Sequence, residues 1–152
     1  MKILFYCPFK FSLKSKNTKS LGGIETLNIE LTKYLSNFKN KIYLASICNK
    51  EFKIGNLTNI PISKLKKKLL NSKFDKIISS NDPTIFDYSK YSKNFLWLHN
   101  KLTLEKAFRK KKLFSIFRNK INAIFVSDYL LKKTTNIYKF RQKIVIPNFL
   151  DP

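Results

Sequence analysis

The sequence predicts an α/β fold, a doubly wound and largely parallel sheet with helices on both faces. Two observations lead there. Short apolar runs of strand length alternate along the chain with stretches whose apolar residues recur at helical spacing, and parallel neighbours require such crossovers between them. The length sets the scale, because 152 residues with 43% apolar composition suit one domain that buries roughly two-thirds of its unfolded surface.

The first strand is expected at residues 2–7, followed by a loop at 8–21 rich in Lys, Ser and Asn. That loop is long for a strand-to-helix connection, and loops of this size often cover ligands. Gly22-Gly23-Ile24-Glu25 then opens a helix over 24–38, in which Ile24, Leu27, Leu31, Leu35 and Phe38 form the apolar stripe and Glu25, Glu30 and Lys33 face solvent. A strand at 42–47 completes the first strand-helix-strand unit. Residues 49–61 are turn-rich, with Gly55 and Pro61, and a short helix is expected at 63–70 on Leu65, Leu69 and Leu70. The next strand is 76–80, after which Asn81 or Asp82 caps a short helix opened by Pro83. A strand at 95–98 ends at His99-Asn100. Leu104, Phe108, Phe114, Phe117 and Ile121 then mark an imperfect helical stripe. A strand at 123–126 leads through Ser127, as N-cap, into a helix carrying Tyr129, Leu130 and Ile137. The last strand is 144–146, before Pro147-Asn148.

In such a sheet the groups at the carboxyl ends of the strands converge on one crevice. Here those groups are the Gly22-Gly23 loop, Asn81-Asp82 and His99-Asn100. Paired glycines at a helix N-terminus let backbone N–H groups approach a phosphate or sugar hydroxyl, although paired glycines also mark plain turns. No G-x-G-x-x-G is present, and the pair lies about fifteen residues beyond the strand, unlike a dinucleotide or Walker phosphate loop. Glu25 in the first helical turn favours the helix dipole or orients a hydroxyl. His99, the one histidine, is either a hydrogen-bonding or acid–base group at a strand end or a structural tautomer bonded to backbone. With no second histidine and no paired cysteines, a zinc site is not expected. Ser127 and Asp128 lack the nucleophile elbow and read as helix capping. Asp75, Asp82 and Asp87 show no spacing of a metal or acid–base pair, and Trp97 reads as core among Phe95, Leu96 and Leu98.

The formal charge of +22, from 31 basic and 9 acidic residues, favours anionic lipid, nucleic acid or phosphorylated substrates as partners. Lysine accompanies Asn, Ile and Phe throughout, as a chain-wide compositional bias would also produce. The segment 101–120, with Lys106, Arg109, Lys110, Lys111, Lys112 and Arg118 around an aromatic stripe, reads either as a core-packed helix with a solvated face or as an anionic-membrane contact. Nucleic acid is the weaker partner, for no zinc-finger spacing, recognition-helix pair or RNA-binding aromatic signature accompanies the charge. Cys7 and Cys48 read as buried thiols of a reducing compartment. No secretory signal is recognisable, and no run approaches the roughly 20 apolar residues of a membrane span.

Met1-Lys2-Ile3-Leu4, Gly22-Gly23-Ile24-Glu25, Trp97-Leu98-His99-Asn100, Val126-Ser127 and Ile144-Val145-Ile146-Pro147-Asn148, in that order, resemble the N-terminal half of the family four glycosyltransferases. The resemblance spans nearly the whole chain. It implies a Rossmann-like acceptor-side domain over residues 1–148 and the start of an interdomain linker at 149–152, within a two-domain GT-B architecture. Such enzymes transfer a sugar from a nucleotide diphosphate donor to a saccharide or lipid-linked acceptor with retention. By that resemblance Gly22 and Gly23 face the donor phosphates and sugar, and His99 has an orienting or electrostatic catalytic role. Glu25, Asn100 and Asp82 are acceptor-binding candidates. No metal or other cofactor is implied, and the expected location is the cytoplasm, either free or peripheral on the inner face of the plasma membrane. Phe149 stands where the family usually has glycine. The donor-binding domain with its carboxylates has no counterpart here, so the chain is expected to be catalytically incomplete alone. The rival classes are a non-catalytic acceptor- or lipid-binding module and a basic nucleic-acid-binding domain.

Overall fold

A computed structural model of the chain describes residues 1–13, 21–89, 93–100, 121–135 and 140–148. Strands β1 (Lys2–Lys10), β2 (Lys41–Ile47), β3 (Phe52–Ile54), β4 (Leu57–Pro61), β5 (Lys76–Ser80), β6 (Lys93–Leu98), β7 (Asn122–Phe125) and β8 (Lys143–Val145) form one open sheet in the order β3-β4-β2-β1-β5-β6-β7-β8. Every neighbouring pair is parallel except β3 and β4. The fold is α/β, compatible with the Rossmann-like expectation, and the direction of winding reverses between β1 and β5.

Alternation along β1 builds the two cores. Leu4 and Tyr6 point to one face with Leu65, Ile85, Phe86 and Leu130. Ile3, Phe5 and Cys7 point to the other with Leu27, Ile29 and Trp97. Helix α1 (Gly23–Ser36) lies on the second face. Helices α2 (Ile62–Asn71) and α3 (Asp128–Thr135), with the 3-10 helix Pro83–Tyr88, lie on the first. Right-handed crossovers require this partition, because α1 leads toward β2 while the others lead toward β8.

Several boundaries differ from expectation for identifiable reasons. Strand β1 runs past Cys7 to Lys10, pairing Lys10 with Ile47 after an irregularity that follows Tyr6, and Pro8 falls within that irregular stretch, where a missing N–H is tolerated. Residues 49–61 are not merely turns. They hold the β3–β4 hairpin, closed by Gly55-Asn56 with Gly55 at φ 54, the first central position at which a two-residue hairpin of the II′ kind needs glycine. Strand β4 is fully buried although it carries Thr58 and Asn59. Asn59 donates to the Leu44 carbonyl at 2.8 Å and to Ser46 Oγ at 2.9 Å, which satisfies its buried amide group. Strands β6, β7 and β8 each begin earlier than expected, and β7 and β8 also end one residue sooner. Phe38 lies beyond α1 and is half exposed, so it leaves the predicted stripe. Cys7 is buried as expected, whereas Cys48 is only partly so.

Two capping expectations match the structure. The Asp82 carboxylate accepts from the Thr84 N–H at 3.0 Å at the start of the 3-10 helix, with Pro83 in its first turn. Ser127 Oγ accepts from the Leu130 N–H at 3.2 Å at the start of α3. Ile137 and the segment 101–120, with Lys106, Arg109, Lys110, Lys111, Lys112 and Arg118, lie outside the described residues.

Candidate functional site

At the reversal point, a continuous run of hydrogen bonds ties helix α1 to the ends of β5 and β6. Asn28, fully buried in the second turn of α1, donates to the Ile24 carbonyl at 2.8 Å and shares two bonds with Ser80 Oγ, at 3.0 and 3.1 Å. The next residue, Asn81, has φ 60 and is buried. Its N–H donates to the Trp97 carbonyl and its side-chain oxygen accepts from the His99 N–H, both at 2.9 Å. Asparagine is among the few side chains that tolerate this left-handed backbone. The strained residue therefore latches the β6 terminus to β5 and fixes where His99 leaves the sheet.

The His99 ring stacks obliquely on Trp97, with centroids 4.6 Å apart and planes at 43°. Both of its nitrogens, Nδ1 and Nε2, are buried without a hydrogen-bond partner among the described residues, and so is the neighbouring Trp97 Nε1. Unsatisfied buried groups are rare in folded proteins and call for a specific explanation. Burial lowers the imidazole pKa from its ordinary value to about 4, so at neutral pH one ring nitrogen donates and the other accepts. Together the two rings offer two N–H donors and one acceptor, a set that matches hydroxyl groups, which both give and take hydrogen bonds.

The Gly22-Gly23 pair works through space rather than backbone conformation. Gly22 is the N-cap of α1 in ordinary extended geometry, φ −72, and no side chain caps the helix. A methyl group on Gly22 would meet Glu25 Oε2 at 2.7 Å, whereas one on Gly23 would meet nothing within 4 Å. Glu25 thus folds its carboxylate back over the N-cap instead of facing solvent. The same carboxylate adds to burial in pushing the Cys7 thiol up to about 12, which brings Cys7 of β1 into this neighbourhood. On the other face, burial and then the Asp82 charge push the Tyr6 phenol up to about 12, opposed by a hydrogen bond with Thr84.

The structure gathers Gly22, Gly23, Glu25, Asp82 and His99 at the carboxyl end of the sheet. Asp82 is partly committed, accepting from Thr84 Oγ1 at 2.5 Å as well as from its N–H. Asn100 is exposed just beyond β6. Sequence reasoning missed Asn28 and Ser80 as the buried brace, and missed the Trp97 N–H, whose ring lies in the core as expected. A signal was present for Asn28, a polar residue on the buried side of an amphipathic helix. Among the described residues no group of three or more His, Cys, Asp or Glu is placed to hold a metal ion, and no helix is long and apolar enough to cross a membrane. Some of the positive charge is crowded: burial first, then Lys68 and Lys41, lowers the pKa of Lys2.

No protein-family model matches the chain, and no curated protein matches it either.

Proposed function

We propose that this chain is the acceptor-side domain of a retaining GT-B glycosyltransferase. In this reading the domain holds a saccharide or lipid-linked acceptor while a donor-binding domain presents a nucleotide diphosphate sugar. The observation that carries the reading is the orphaned set of ring nitrogens on Trp97 and His99 beside the sheet's reversal point. A neutral imidazole that both donates and accepts suits sugar hydroxyls better than it suits phosphate, which asks for donors alone.

The open approach at Gly23 leaves room for a ligand against the N-terminus of α1, where the helix dipole favours a departing diphosphate. Closure of the two domains brings the acceptor hydroxyl and the anomeric carbon together and excludes water. His99 orients the reacting hydroxyls and remains uncharged. Peripheral docking on an anionic inner membrane surface belongs to the same proposal, motivated by the +22 charge.

The test is sugar transfer from a panel of nucleotide sugars to saccharide and lipid acceptors, by the purified chain with and without the polypeptide encoded immediately downstream. Transfer that appears only in the mixture, and drops about 100-fold or more in His99→Ala, is the expected result. Absence of transfer in both mixtures overturns the proposal.

A further inference from the structure

Positive charge is not spread evenly over the described helices. Helix α1 carries Glu25 and Glu30 against Lys33, which pairs with Glu30 at 2.9 Å. Helix α2 carries Lys64, Lys66, Lys67 and Lys68 and no acidic residue. Its apolar residues Ile62, Leu65 and Leu69 face the core, which leaves Lys64 and Lys67 in solvent. With Lys68, Ser63, Asn71 and Ser72 they line a groove of about 470 Å³. Like charges three and four positions apart on a helix repel, and α2 itself holds nothing that offsets them.

Lys68 joins this groove to a second cluster, at the amino ends of β1 and β2. Its Nζ lies 4.9 Å from the centre of the Tyr43 ring, while Lys2 Nζ lies 5.3 Å from the same ring and 4.6 Å from that of Phe74. The two rings meet edge to face, with centres 5.3 Å apart. Lys41 is near enough that its charge, like that of Lys68, adds to burial in lowering the Lys2 pKa. A cation resting on a ring is held in place with its charge intact, whereas a salt bridge cancels it. Two carboxylates stand nearby: Glu51, 3.4 Å from Lys68, and Asp75, whose Oδ2 accepts the Lys2 backbone N–H at 2.6 Å. Against the five ammonium groups of Lys2, Lys41, Lys64, Lys67 and Lys68 they leave an excess of three positive charges. Lysine is a compact charge with three rotatable donors, which suits phosphate oxygens arrayed around one centre. A lone carboxylate would neutralise only a third of the excess. We propose that this lysine cluster is a binding site for a polyphosphate group, one phosphate seated among Lys2, Lys41 and Lys68 and the next beside Lys64 and Lys67. The site lies at the amino ends of the parallel strands, the end away from His99, and its occupation does not depend on the sugar-transfer reading.

The test titrates the full chain with inorganic tripolyphosphate in a calorimeter at about 0.1 M salt, where exposed charges more than about 10 Å away are largely screened. One equivalent should bind, and Lys2→Gln/Lys68→Gln should weaken it about tenfold or more. Lys132→Gln/Lys133→Gln removes the same charge from α3, beside β7 and β8, together with the contact of Lys133 on the Tyr129 ring, and should bind as the parent does. Far-UV circular dichroism and urea midpoints check that each variant folds. If Lys2→Gln/Lys68→Gln does not, Lys64→Gln/Lys67→Gln, at exposed positions of α2, carries the same expectation. Vesicles containing phosphatidic acid distinguish the source of the phosphate. Co-sedimentation that tripolyphosphate displaces and the Lys2/Lys68 variant loses supports the site with a lipid headgroup as its occupant, and tripolyphosphate binding without co-sedimentation supports it with a soluble one. Absence of tripolyphosphate binding overturns the proposal. So does equal weakening in the two double variants, for then net charge alone binds. Binding of a DNA duplex that needs Lys2 and Lys68 but is not displaced by tripolyphosphate overturns it in favour of a nucleic-acid surface.

Discussion

Replacing His99 with glutamine should flatten the acid limb of the stability curve, and the size of the effect follows from burial. The folded imidazole titrates at about 4 against an ordinary value of 6.5. Between those values the unfolded chain binds more protons than the folded one, so stability falls as pH drops through the ordinary value and levels off below the folded one. A shift of this size corresponds to about 3 kcal/mol between the two plateaus, and to about 2 kcal/mol near pH 5. For a domain of this length the latter is roughly 4–8 °C in Tm. Urea and thermal unfolding of the parent and His99→Gln, each at about pH 7.5 and pH 5, isolate the contribution, since the carboxylates common to both proteins cancel in the difference. Because the chain has one histidine, its imidazole resonances report the same ionisation directly by nuclear magnetic resonance. Parallel pH dependences of the two proteins, or an imidazole midpoint near the ordinary value, would refute the reasoning.

Three other outcomes are expected. Asn28→Ala strands Ser80 Oγ in the interior and should cost about 1–3 kcal/mol in urea unfolding, while a double-mutant cycle with Ser80→Ala should return a coupling of about 1 kcal/mol; additivity would show that the brace contributes nothing. Gly23→Ala should leave stability unchanged or raise it by up to about 1 kcal/mol, since the methyl meets open space and glycine is a poor helix residue. In the catalytically complete mixture the same change should lower turnover, and unaltered turnover would remove the glycine loop from the site. Native protein should react quickly with one equivalent of a disulfide reagent at Cys48, whereas Cys7, buried with its pKa at about 12, should react only after unfolding; two fast thiols would contradict its environment.

The winding of the sheet was legible because it rests on local signals: short, mostly apolar or β-branched runs at 42–47, 77–78 and 95–98, and the stripe through Leu27, Leu31 and Leu35. The β3–β4 hairpin was not, since β4 carries Thr58 and Asn59 into the interior and its polarity is satisfied only by β2. The places of Gly22, Asp82 and His99 at element ends were legible in the sequence. The relations among them were not, because Asn28 with Ser80 and Asn81 with His99 are 52 and 18 residues apart and no periodicity encodes such pairings. The left-handed backbone of Asn81 has a local cue, the Asn-Asp-Pro turn chemistry, but its role in fixing His99 exists only once β5 and β6 lie side by side.

The placement of β1 has a consequence for how the chain is made. It precedes the other seven strands of the sheet along the chain, yet it occupies the middle of the sheet, paired with β2 on one edge and β5 on the other. Its second edge stays open until residues 73 positions downstream arrive, as the bond from the Lys2 N–H to Asp75 records. Long-range parallel pairing of this kind is slow, and an unpaired apolar edge is the part of a nascent chain most prone to join another. The lysines that crowd the finished surface repel neighbouring chains during that interval. A net charge of +22 opposes such joining while the central strand waits for its partner.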